Sequence, residues 1–174
     1  RHEANLSNDL AQSNRMVKTV LGRLDMEELR RILEVEYGRV ETAKALAAVF
    51  LWRDEPEAAV RLLESLPFSW ETEFYLGVSY YKMGDYPRSL RSFEKLDEVR
   101  PDATVRNNIG VLAWLVSGDR KRAGECFASA VALRPGYLDA ARNAEALATG
   151  DQAAFRFTER PLRSQLVDTK YYAS

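Results

Sequence analysis

The chain has 174 residues, 46% of them apolar and 29% charged, the balance of one globular domain with a sizeable core. Its formal net charge of -1 supplies no global field for nucleic acid or an anionic membrane. Its longest apolar run, Ala45 to Trp52, is eight residues, against the about 20 needed to span a bilayer, so neither nucleic-acid binding nor direct membrane insertion is expected.

In chain order, Leu10, Met16, Val17, Val20, Leu21 and Leu24 recur at three- and four-residue steps and predict a first helix over Ser7 to Leu24. Asp25, with Glu28 three residues later, opens a second helix that Gly38 closes. Val40 to Leu51 marks a third. Its partner runs from Pro56, whose missing amide hydrogen costs least in a first turn, to Leu66. Asp54 precedes Pro56 as Asp85 precedes Pro87, so residues 39–69 read as a degenerate first unit.

From residue 70 an internal period emerges. Gly84 and Gly118, each followed by Asp, lie 34 residues apart, as do Phe93 and Phe127, and Pro101 and Pro135, while Ser89 and Ala123 put a small residue at equivalent places. Such a period marks stacked helix-turn-helix units, each of which needs a neighbour to cover its apolar face. The register carries one insertion: Gly77 to Gly84 is seven residues and Gly110 to Gly118 is eight. A π-type bulge or a longer turn in or after the first helix would absorb it. Tyr137 to Thr149 resembles the first helix of a further unit, with Asp151 to Glu159 as a short last helix that Pro161 stops.

Trp70, Leu76-Gly77, Tyr80, Gly84, Phe93 and Pro101, with Ile109-Gly110, Trp114, Ala123, Phe127, Ala130 and Pro135 in the next unit, resemble the tetratricopeptide repeat family. Glu73, Ser89 and Leu96 depart from its pattern. The resemblance implies an all-α fold, an α-solenoid of antiparallel helix pairs wound as a right-handed superhelix, with about three repeats and terminal capping helices. The divisions are 1–38 for N-terminal helices, 39–159 for the repeat domain (39–69, 70–103, 104–136, 137–159) and 160–174 for a tail.

The same residues hold few of the sets that carry chemistry. There is no Gly-x-Gly-x-x-Gly segment and no phosphate loop. The chain has one His, His2, and one Cys, Cys126 beside Phe127, too few for a His/Cys zinc site. Cys126 reads as a small filler and His2 as incidental. Arg120, Lys121 and Arg122 read as a solvated helix start. No cofactor and no catalytic residue is assigned, and a non-enzymatic scaffold is expected.

The resemblance places a peptide or protein partner on an inner groove lined by the first helices. Asn108 stands two residues before Gly110, and Asn143 lies 35 further on, the repeat plus the inserted residue. Relatives of this kind often place Asn there, where its amide both donates to and accepts from an extended backbone; the alternative is an Asn that bonds within its own stack. Tyr75 takes that place one unit earlier. Helical spacing adds Phe74, Val78, Tyr81, Lys82, Arg106, Val111 and Arg142.

Two further readings stand beside the scaffold. One is an accessory domain of a larger enzyme, such as a glycosyl- or methyltransferase, or of a secretion or assembly machine, since a start at Arg1 reads as a fragment or a processed chain. The other is self-assembly into a homo-oligomer, with the first helix or the tail (Leu162, Leu166, Val167, Tyr171, Tyr172) docking into a neighbour's groove. The tail could also fold into its own groove. The lone cysteine leaves cytoplasm and periplasm equally open.

Overall fold

The computed structural model describes residue 23 and residues 25–161 of the chain. The expected helix over Ser7 to Leu24, Arg23 apart, and the tail beyond Pro161 lie outside the described residues. Those residues form seven α-helices and a short 3-10 turn, with no strand among them. They divide into two compact units, meeting in sequence at Pro67 and Phe68.

In the first unit, α1 spans Met26–Trp52 and α2 spans Pro56–Glu64. The Asp25 carboxylate accepts from the amides of Glu27 and Glu28 at 3.0 and 3.3 Å, satisfying donors that a helix start leaves free. Gly38, at φ 78° and ψ 170°, breaks α1 where the sequence predicts one helix to close and the next to begin. Ala43, Leu46, Ala47, Ala59, Val60 and Leu63 are buried where α1 and α2 pack together.

The turn between these helices corrects the sequence correspondence by one residue. Asp54 adopts φ 63°, the left-handed conformation that Gly84 takes in the second unit. Asp54 N–H donates to Leu51 O and Glu55 N–H to Phe50 O, as Gly84 N–H donates to Tyr81 O and Asp85 N–H to Tyr80 O. Asp54 therefore stands for Gly84, and Glu55 for Asp85. A short polar side chain is among the few that tolerate this conformation.

The second unit contains α3 (Trp70–Lys82), α4 (Tyr86–Val99), α5 (Ala103–Ser117), α6 (Arg120–Leu133), α7 (Leu138–Thr149) and the 3-10 turn Gln152–Ala154. Each helix packs on the next. The two internal glycines explain how closely. A Cβ on Gly77 would lie 2.6 Å from the Phe93 ring, and one on Gly110 would lie 2.6 Å from the Phe127 ring. Both rings are fully buried, so the small residue is what lets the helices of a pair approach. Ser89, a departure from the repeat pattern, donates to the Gly77 carbonyl at 2.7 Å and so ties α4 to α3. Glu73, another departure, is buried with its carboxylate 3.4 Å from Lys95 Nζ.

The inserted residue is absorbed at the end of α5. There the Gly118 amide is shared between the Ala113 and Trp114 carbonyls, and Asp119 N–H reaches Ala113 O, six residues back. The corresponding bond after α3 spans five residues, from Asp85 to Tyr80. A wider last turn replaces a mid-helix bulge. Beyond α7 the chain departs from expectation: Asp151 to Glu159 forms no α-helix, only the turn Gln152–Ala154 followed by extended chain. No helix among the described residues is long and apolar enough to cross a membrane.

Candidate peptide-binding site

The extended residues 155–159 lie against side chains of α3, α5 and α7, and two asparagines hold their backbone. Asn108 Nδ2 donates to Thr158 O at 2.8 Å while its Oδ1 accepts Thr158 N–H at 2.8 Å. Asn143 repeats the pattern on Arg156, donating to its carbonyl at 2.9 Å and accepting its N–H at 2.7 Å. In an extended chain the amide and carbonyl of residues i and i+2 point to the same side, so a carboxamide at each step imitates the edge of a β-strand. Both asparagines are fully buried, and leaving such groups unpaired would cost about 1–3 kcal/mol each.

Asn107 completes the network. Its Nδ2 donates to Arg156 O at 3.0 Å, and its Oδ1 accepts from Asn143 Nδ2 at 2.8 Å. It is fully buried, although sequence analysis singled out only its neighbour. The signal lay in the doublet Asn107-Asn108 in the body of a helix, where asparagine has low intrinsic propensity.

The side chains of the segment alternate. Phe157 stacks on Tyr81 with centroids 3.8 Å apart and planes 3° off parallel, and meets Phe93 edge-on at 5.5 Å. Phe155 meets Phe127 at 5.2 Å and Trp114 at 6.3 Å, both near edge-on. The Arg156 side chain is exposed, whereas Thr158 is buried with its hydroxyl on the Tyr137 hydroxyl and 3.1 Å from the Asp139 carboxylate. Glu159 lies 3.5 Å from Lys82 Nζ.

The helices and the segment share a register. Tyr81 and Trp114 each stand four residues after the internal glycine of their pair, and they receive Phe157 and Phe155 respectively. Asn108 and Asn143 hold Thr158 and Arg156 in the same order. Moving one helix pair along the chain moves two residues back along the segment, which fits an extended chain of period two to successive helix pairs.

Electrostatics follow burial. Burial pushes the Tyr75, Tyr81 and Tyr137 hydroxyls above the ordinary tyrosine range; Asp139 adds to the effect at Tyr137, and the hydrogen bond to Thr158 opposes it. These tyrosines stay neutral at ordinary pH.

Of the residues expected at this surface, Asn108, Asn143, Tyr81 and Lys82 touch the segment. Tyr75 is half-buried. Val111 belongs to the apolar cluster on which Phe155 and Phe157 rest, and Val78 is buried. Phe74 is core, stacked on Trp70 at 5.3 Å and edge-on to Phe93 at 5.3 Å. Arg106 faces elsewhere: its guanidinium bonds Asp97 at 2.5 Å and Ser129 at 3.1 Å, in a depression it shares with Glu94, Arg122 and Cys126. Helical spacing gave its direction only coarsely, and the carboxylate of Asp97 decided it. Arg142 is exposed on α7, and the bonds to the segment come from its neighbour Asn143.

Sequence reasoning missed Phe155, Phe157, Thr158, Tyr137 and Asp139. The alternation Phe155-Arg156-Phe157-Thr158 was the available sign of extended chain. The basic cluster opens α6 with Arg120 and Lys121 exposed and Arg122 partly so, as a solvated helix start does, and two of its members also find partners. Arg120 donates to the Leu147 carbonyl at 2.5 Å, and Arg122 pairs with Glu94 at 2.6 Å. Burial pushes the Cys126 thiol up, the opposite of the shift that activates a nucleophile. Compared with known proteins, the chain matches no family model and no curated protein.

Proposed function

We propose that this chain is a non-catalytic interaction scaffold of the tetratricopeptide kind, an α-solenoid whose first helices bind an extended segment of a protein partner. The observation that carries the reading is the pair of two-point amide contacts from Asn108 and Asn143 to the backbone of Thr158 and Arg156. Contacts to backbone are indifferent to ligand sequence, so a scaffold that makes them on its own chain has the chemistry to make them on another. The repeated Gly77–Phe93 and Gly110–Phe127 approaches support the solenoid, because each pair is built to the same template and stacks on the next.

The test uses a labelled synthetic peptide of residues 152–161 and the full chain carrying Phe155→Ala and Phe157→Ala, which weakens the resident segment. Fluorescence polarisation is expected to show saturable binding that disappears when Asn108→Ala and Asn143→Ala are added. Equal binding with and without the asparagines would defeat the reading.

A further inference from the structure

We infer that this surface reads the pattern aromatic, any residue, aromatic, threonine, acidic, and that residues 155–159 are the chain's own copy of the sequence a partner must carry to displace it. The inference rests on the peptide-binding reading above and adds the identity of the ligand.

Each position follows from its neighbours. The first aromatic meets Phe127 and Trp114, and the second fills the gap between Tyr81 and Phe93. Planar rings bury a large area with few rotors to fix, which suits both places. The residue between them is exposed and held only through its backbone. The threonine is 6% exposed, with its hydroxyl against Tyr137 and Asp139 and 3.4 Å from Asn107 Nδ2. A site built to bond a hydroxyl rejects the isostere that lacks one, because its own buried polar groups are then stranded. A phosphothreonine is excluded more strongly, since its added negative charge would be forced toward the Asp139 carboxylate. The acidic residue faces the Lys82 ammonium at 3.5 Å.

The asparagines thus provide affinity for any extended backbone, and the four specified side-chain positions select among them. The resident copy begins five residues after Gly150, which caps α7. So short a tether gives it an effective concentration in the millimolar range. A free peptide therefore binds the native chain weakly and competes for the same seat.

The experiment extends the polarisation assay to a peptide series on the Phe155→Ala, Phe157→Ala chain. A second host carries Arg156→Pro, which deletes the N–H that Asn143 accepts and leaves every helix core untouched; circular dichroism and a cooperative melt verify both hosts. The parent 152–161 peptide is expected to bind these hosts at least about tenfold more tightly than the native chain. Replacing the peptide's threonine by valine should weaken it about tenfold, replacing its second phenylalanine by alanine on the order of 30-fold, and phosphorylating the threonine should abolish binding. Alanine in place of its arginine should change nothing. The native chain at millimolar peptide, followed by NMR shifts, should rank the series identically.

If the parent binds and the valine, alanine and phosphothreonine peptides bind equally well, the code is wrong while peptide binding stands. If no peptide binds any of the three proteins, the peptide-binding reading itself falls, and the code with it.

Discussion

The pairs α3–α4 and α5–α6 are packed alike and equipped differently. In each, a glycine backbone approaches a buried phenylalanine so closely that an added Cβ would sit 2.6 Å from the ring. Two residues before that glycine, however, α3 has the half-buried Tyr75 and α5 has the fully buried Asn108 clamped to Thr158. Four residues after it, Tyr81 in one pair and Trp114 in the other each receive a different ring of the segment. The repeated phenylalanines hold the helices together and also meet the segment, whereas the positions that differ between the pairs meet it through different chemistry.

The largest effects should fall on the repeated positions and be nearly equal in the two pairs. Phe93→Ala and Phe127→Ala should each cost about 3–5 kcal/mol in denaturant melts. A large loss at only one of them would break the equivalence. Gly77→Ala and Gly110→Ala come next at about 1–3 kcal/mol, because the ring must move to admit a methyl group.

The alkaline limb sharpens the comparison on the side of the extended segment. Tyr137 ionises less readily folded than unfolded, so its contribution is complete below its ordinary value of 10.0 and is lost as pH rises above it. Stability should fall at up to about 1.4 kcal/mol per pH unit beyond that point for this one group, and Tyr137→Phe should flatten the slope. A slope unchanged by the substitution would show that Tyr137 is not buried as described. The smallest effect belongs to Lys82→Ala. Its partner Glu159 is half exposed, and the pair should be worth less than about 1 kcal/mol.

Much of this architecture was legible in the residues. The Gly84/Gly118 and Phe93/Phe127 intervals located two helix pairs, and the 35-residue offset located Asn108 and Asn143. What was not legible has a common cause. Thr158 meets Asn108 across 50 positions and Arg156 meets Asn143 across 13, so the extended segment is specified by distant partners and not by local propensity. Four alternating residues are too few to outvote a helical context. Arg106 shows a related effect, since periodicity assigns a helix face while the final direction of a long side chain is set by its ion partner, here Asp97.

Amide hydrogen exchange at Arg156 and Thr158 tests the central claim most directly, because those two N–H groups are the ones the asparagines accept. In the native chain both should be protected, and in Asn108→Ala/Asn143→Ala both should exchange at nearly the unprotected rate while α5 and α6 keep their protection. Free exchange in the native chain, or protection that survives loss of both asparagines, would contradict the account.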